Sequence, residues 1–140
     1  MKKYLLLSIV CFIGFNSFAQ IDFNDFIGQT KGYIIKYHVG TCHIDSNTST
    51  QLMFYAAQDG GIEFHCYFDE SGLCKTLNMM TSVATTTAAL TEIITHACTF
   101  YKKYSTITYY DCTDGYYLTI AKLSPDDGSA FFSVSKNPPN

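Results

Sequence analysis

Apolar and polar residues alternate strictly over residues 62–68. This is the period of a β-strand, so the pattern predicts a strand with one buried and one wet face. Runs rich in apolar residues at 50–57 and 75–80 flank this strand. An Asp-Gly turn at 59–60 and a Ser-Gly turn at 71–72 separate the three segments. These turns favour hairpins, so we predict three antiparallel strands here.

The C-terminal third of the chain repeats this pattern. Strands are predicted over 106–112, 116–123 and 130–136, with Asp-Gly turns at 114–115 and 127–128. The turns lie about 55 residues after those of the first group. This spacing indicates either a duplicated unit or the limited chemistry of hairpin turns, and both explanations stay open.

Two helices are predicted from apolar residues at three- and four-residue spacing. The first covers 31–39, begins after Thr30 as N-cap and ends at Gly40. The second covers 86–104 and carries a stripe formed by Leu90, Ile93, Ile94, Ala97, Tyr101 and Tyr104. The predicted fold is therefore α+β: an antiparallel sheet of about six strands with two helices packed on one face. Under duplication, each half (26–80 and 86–136) is a helix plus three strands.

Residues 1–19 have the three parts of a signal peptide: a basic start, an apolar run and small residues before a cleavage site. An N-terminal membrane anchor is the alternative, although the apolar run is short for a span. We expect residues 20–140 to form one α+β domain, secreted or periplasmic, without a transmembrane segment.

Charge excludes one class of partner. The 140 residues include 9 Lys and Arg against 12 Asp and Glu, and every basic residue is lysine. The arginine forks that grip phosphates and base edges are missing, so nucleic-acid binding is not expected. No cofactor motif is present.

Five cysteines follow the predicted signal peptide: Cys42, Cys66, Cys74, Cys98 and Cys112. In an oxidising compartment they allow up to two disulfides, but the sequence does not choose the pairing. A tight turn at 71–72 would place Cys66 and Cys74 on opposite faces, whereas a longer loop would let them meet. Another possible disulfide joins Cys98, on the predicted second helix, to Cys112 on the following strand.

Two kinds of chemistry remain as alternatives. His43 and His65, each next to a cysteine, would make a metal site if they met on one sheet face. A small hydrolase would use Cys66 with His38 or His96, or an acid pair at 69–70 or 126–127, although no local signature supports any of them.

Tyrosine is the compositional excess best suited to binding. Two Tyr-Tyr pairs occur in predicted strands, and neighbouring strand residues face opposite sides of a sheet. One tyrosine of each pair should therefore lie away from the core, and the polar side of strand 62–68 should face away from the core too. The candidate binding residues are Glu63, His65, Tyr67, Tyr109, Tyr110, Tyr116 and Tyr117. Ordinary cross-strand pairing is the alternative role of such a face.

The segment Ile27-Gly28-Gln29-Thr30-Lys31, followed by residues 34–35 and 39–41, resembles the opening of the SmpA/OmlA domain of outer-membrane assembly lipoproteins. Residues 64–74 resemble its strand–turn–strand, and the tandem layout is similar to that of the β-lactamase-inhibitor protein. The resemblance covers about residues 26–80. It implies a module that acts by protein contact.

Together these features predict an exported, non-catalytic protein-binding module, with the small hydrolase and the metal-binding envelope protein as alternatives. The partner is expected to be another protein. Its identity and the oligomeric state of this chain stay open.

Overall fold

A computed structural model describes residues 22–56, 61–96, 98–124 and 128–138. The predicted signal peptide, the turn at 59–60 and the aspartates at 126–127 lie outside the described residues, as does Ala97 of the predicted second helix. The rest forms one antiparallel sheet of eight strands with two short α-helices. The fold is α+β in a broad sense and is dominated by the sheet.

The strands form two four-stranded meanders that join at their last strands. The sheet order is β1-β2-β3-β4-β8-β7-β6-β5, so β4 and β8 lie side by side at the centre and β1 and β5 are the edges. The strand bounds are β1 His43–Asn47, β2 Gln51–Ala56, β3 Ile62–Phe68, β4 Cys74–Thr81, β5 Cys98–Tyr104, β6 Ile107–Cys112, β7 Tyr117–Lys122 and β8 Ala130–Ser135. Each half is thus a helix followed by four strands, where we predicted three.

The two strands that sequence analysis missed are the two sheet edges. The residues of β1 are exposed except for one that is half-buried, so no buried face imposes an alternation on it. β5 is likewise mostly exposed. Both form because they pair antiparallel with β2 and β6, not because of an apolar pattern.

The predicted second helix is wrong in its C-terminal half. Helix α2 covers Ala84–Thr95, and the chain then becomes β5. Tyr101 and Tyr104, which extended the helical stripe, are 65% and 64% exposed on this strand. Pairing with β6 and a disulfide at the start of β5 outweigh their helical spacing.

The first helix forms where the sequence predicts it. Helix α1 covers Lys31–Ile34 and continues as a π-helical turn over Ile35–Val39. The Thr30 hydroxyl accepts a hydrogen bond from the Tyr33 amide at 3.3 Å, which is N-cap geometry. Gly40 ends the segment at a φ of 53°.

The core lies on one side of the sheet. Alternate residues of β2, β3, β4, β7 and β8 are buried, and the pairing aligns them in rows such as Leu52, Cys66, Leu77, Val134 and Leu118. The N-terminal segment and α1 add four further buried side chains to the same cluster: Phe26, Ile27, Ile34 and Val39.

Helix packing differs from the prediction of two helices on one face. Among the described side chains of α2, only Leu90 is buried. The segment before α1 contributes more: the Phe26 ring stacks on that of Phe64, with centroids 6.0 Å apart. Irregular chain thus replaces part of the helical layer expected over the core.

The residues that alternate with the core face the other side of the sheet, which we call the open face. All of them are half-buried or exposed. The open face comprises Gln51, Met53, Tyr55, Glu63, His65, Tyr67, Thr76, Asn78, Met80, Ile107, Tyr109, Asp111, Tyr117, Thr119, Ala121, Phe131, Ser133 and Ser135.

Candidate protein-binding face

The three candidate residues of β3 lie on the open face. Glu63, His65 and Tyr67 are half-buried, whereas their neighbours on β3 are buried. The His65 ring Nε2 contacts the Glu63 carboxylate closely, and the two side chains are 12% and 37% exposed. The pair presents one carboxylate and one imidazole at the surface of the first half.

One cross-strand row runs through His65 along the whole open face. His65 lies between Met53 on β2 and Asn78 on β4. The row continues through Ser133 and Thr119 on the central strands of the second half. Its middle is therefore short and polar, because an amide and two hydroxyls lie side by side.

Asn78 occupies a special position in this row. Its side-chain Oδ1 is buried and accepts no hydrogen bond from any described group. Its hydrogen-bonding capacity is therefore not used by any described group.

Each Tyr-Tyr pair places one tyrosine on the open face. Tyr109, on β6, ends the polar row opposite Thr119, whereas Tyr110 lies opposite Leu118 and packs against the core. The Tyr110 ring also meets that of Phe100 edge-on, with centroids 6.2 Å apart. Tyr110 therefore does not belong to the open face.

The second pair divides in the same way. Tyr117 is half-buried at the start of β7, but Tyr116 is only 2% exposed. The Tyr116 hydroxyl donates a hydrogen bond to Asn24 Oδ1. Burial raises the pKa of Tyr116, and the nearby carboxylate of Asp22 adds to the effect. Tyr116 therefore anchors the N-terminal segment and is not available to a partner.

The apolar part of the open face lies near the start of β3 and the end of β4. Tyr55 pairs with Glu63, Glu63 with Met80, and Met80 with Phe131. Tyr55 is 41% exposed. Sequence analysis missed Met80 and Phe131 because their strands lack a strict apolar–polar alternation, and only the register shows which side they face.

The histidines do not meet. His43 lies opposite Tyr55 near the edge, and its Nε2 is 3.4 Å from the Asp45 carboxylate. His65 lies opposite Met53, at another position along the neighbouring strands. Within the described ranges, no three His, Cys, Asp or Glu side chains form a group that could hold a metal ion.

The cysteines occupy three different environments. Cys98 and Cys112, directly opposite on β5 and β6, form a disulfide. Cys66 and Cys74 are buried on the core side, whereas Cys42 is half-buried and packs against the core. The bridge between Cys98 and Cys112 thus joins two strands rather than a helix and a strand.

A cleft of about 480 Å³ lies between the start of α2 and the β7–β8 connection. Alanine, threonine and serine form most of its described wall, and Glu92 and Lys122 are the ionisable residues among the described lining. Neither cysteine nor histidine occurs in this described lining. It therefore lacks the Cys–His pair on which one form of the hydrolase alternative depends.

Comparison with known proteins adds no relative. No family model matches this chain, and no match was found among the curated proteins or the solved structures. The resemblance of residues 26–80 to the SmpA/OmlA domain therefore stays a prediction. Separately, none of the described helices is long and apolar enough to cross a membrane.

Proposed function

We propose that this chain is an exported, non-catalytic module that binds another protein through its open face. The observation that carries the proposal is the open face itself. One side of an eight-stranded sheet is packed, whereas the other leaves aromatic, thioether and hydroxyl side chains partly accessible across six strands. A broad face of this kind suits contact with a protein better than the enclosure of a small molecule.

The side chains of the open face favour a particular chemistry in the partner. Tyrosine and methionine supply large, adaptable contact area, and both are common in protein interfaces. The acids on this face are Glu63 and Asp111, and the chain as a whole carries a net charge of −3. The partner is accordingly a folded protein whose surface combines apolar contact area with hydrogen-bonding groups, and it carries a basic group placed to meet Glu63.

The sheet edges are poor alternatives for association. β1 has an irregularity at Asp45, and β5 has one at Tyr101, next to two lysines. Bulges and charged residues on edge strands hinder the addition of a further strand. Contact through the open face is therefore favoured over pairing through an edge.

Export is part of the proposal and rests on two features. Residues 1–19 have the signal-peptide pattern, and the Cys98–Cys112 disulfide is of a kind that persists in oxidising compartments. The SmpA/OmlA resemblance points to the same class of extracytoplasmic contact protein. Among the described groups, no observation favours the hydrolase or the metal-binding alternative.

The test places a charge at the centre of the open face. Thr119 is half-buried on β7, between Ser133 and Tyr109, so Thr119→Arg adds a long cation there. Residues 20–140 serve as bait for proteins from the source organism. A captured protein is identified by mass spectrometry and its affinity is measured with purified components. We expect Thr119→Arg to raise its Kd at least about tenfold.

Ala89→Arg is the matched control, since Ala89 is exposed on α2. It adds the same charge outside the open face and should leave the Kd unchanged. Circular dichroism establishes that both variants are folded. Capture of no protein, or equal affinity of Thr119→Arg and wild type, would contradict the proposal.

A further inference from the structure

Two thiols converge on the core side of the first half. Cys66 is in the middle of β3, Cys74 is the first residue of β4, and they are 0% and 2% exposed. Tyr67 pairs with Thr76, but Phe68 pairs with Cys74, so Lys75 is an extra residue in a bulge. This bulge turns Cys74 to the same face as Cys66.

The two cysteines are diagonal neighbours on the core side. Cys74 lies opposite Phe68, which is two residues from Cys66 on β3 and faces the same way. Interaction with Cys74 and burial raise the pKa of Cys66. Interaction with Cys66 and with backbone groups of Thr76 and Tyr67 lowers the pKa of Cys74 against the opposing effect of burial. Cys74 is therefore favoured over Cys66 as the first thiolate.

A short piece of irregular chain lies alongside the start of β4. The Gly28 amide donates to the Cys74 carbonyl at 2.7 Å, and the Cys74 amide donates to the Gln29 carbonyl at 2.8 Å. Thr30 forms an isolated bridge to Leu73. Local opening of a segment is more frequent than unfolding of the whole domain, and it is the route by which an oxidant would reach Cys74.

We propose that Cys66 and Cys74 are a dithiol that closes into a second disulfide when the protein meets a small-molecule disulfide such as oxidised glutathione. The Cys74 thiolate attacks one sulfur of the oxidant and releases the first glutathione thiolate. Cys66 then loses its proton and attacks the Cys74 sulfur of the mixed disulfide, which releases the second glutathione. The protein loses two protons and two electrons, and the oxidant is reduced to two thiols.

The bond would clamp the turn between β3 and β4, as the Cys98–Cys112 bond clamps β5 to β6. It lies on the core side, away from the open face. The proposal is therefore independent of the binding function and can fail or succeed without it.

The experiment uses the folded protein with its Cys98–Cys112 bond intact. It is incubated with oxidised glutathione at mildly alkaline pH, unfolded in N-ethylmaleimide and digested with chymotrypsin without reduction. Tyr67 and Phe68 are cleavage sites between the two cysteines, so a bridge appears as two peptides joined through Cys66 and Cys74. We expect this linked pair, with the loss of two alkylatable thiols per chain.

Two single variants test the order of attack. In Cys66→Ser, Cys74 should end as a mixed disulfide with glutathione. In Cys74→Ser, Cys66 should stay alkylatable, because burial shields it from glutathione until the chain is unfolded. Circular dichroism checks the folding of both, and the wild-type result stands if either variant fails to fold. Alkylation of both Cys66 and Cys74 after full incubation, or a peptide that links Cys42 to either cysteine, would overturn the proposal.

Discussion

Reduction of the disulfide between β5 and β6 should destabilise the domain by an amount set by the loop that it closes. Cys98 and Cys112 are 14 residues apart. Closing a loop of about 15 residues removes conformational entropy from the unfolded chain worth about 3 kcal/mol. Both strands lie at the outer side of the second half, so the unlinked hairpin keeps its pairing with β7 and should refold on the same sheet.

Equilibrium unfolding in urea, followed by far-ultraviolet circular dichroism, measures the effect. With a slope of about 1.5 kcal/mol/M, a loss of 3 kcal/mol lowers the midpoint by about 2 M. The variant Cys98→Ala/Cys112→Ala should show this drop without reductant, and wild type should show it with reductant. Thr99→Ala/Asp111→Ala, at the adjacent opposed pair, is the control without a covalent link and should shift the midpoint much less. Equal midpoints for reduced and oxidised wild type would refute the loop argument.

Three further substitutions test the packing and the turns. Leu77→Ala, at a fully buried position of β4, should cost about 2–5 kcal/mol in urea unfolding, and a cost below 1 kcal/mol would contradict the core assignment. Gly128→Ala should lower the Tm, because φ is +76° and the new Cβ would lie 2.5 Å from the Ala84 Cβ; an unchanged Tm would exclude this contact. Hydrogen bonds from the Ser71 hydroxyl and nearby amides lower the pKa of Asp69 below its ordinary 3.8. The ionised Asp69 carboxylate therefore stabilises the fold above about pH 3.8, and this stabilisation is lost as Asp69 becomes protonated in acid. Asp69→Asn should lower the urea midpoint at neutral pH, and the midpoints of variant and wild type should converge towards pH 2.

The inner strands were predictable because one of their faces is buried. On β3 the alternation of apolar and polar residues follows directly from a sheet with a packed side and an accessible side. The turn signals then place β2, β4, β6, β7 and β8 close to their observed bounds. Local pattern and tertiary environment agree wherever a strand lies inside the sheet.

The edge strands were not predictable for the converse reason. β1 is almost wholly exposed, so its residues carry no periodic signal. In β5, Tyr101 and Tyr104 happen to continue the spacing of the preceding helix, although both are exposed on a strand. Pairing with a neighbour and the disulfide decide the structure of these segments, and neither is visible in a local window of sequence.

The side-chain directions of the open face were predictable only within one strand. The alternation of side chains along β3 places Glu63, His65 and Tyr67 on the side away from the core, as expected from the sequence. The identity of their neighbours depends on register, which brings Asn78 and Met80 beside them. A single strand therefore indicates that a face exists, whereas only the sheet shows which side chains share it.

The thiol pair shows how one residue changes the chemistry that a sequence permits. Counting alternate positions back from a tight turn places Cys66 and Cys74 on opposite faces. The structure brings them together because Lys75 is accommodated as a bulge, which shifts the parity of β4 by one position. A bulge has no compositional signature when the extra residue is an exposed lysine. The proposed second disulfide therefore depends on strand pairing rather than on a sequence pattern. Deletion of Lys75 would regularise β4 and leave Cys74 on the core side, so the disulfide between Cys66 and Cys74 should still form.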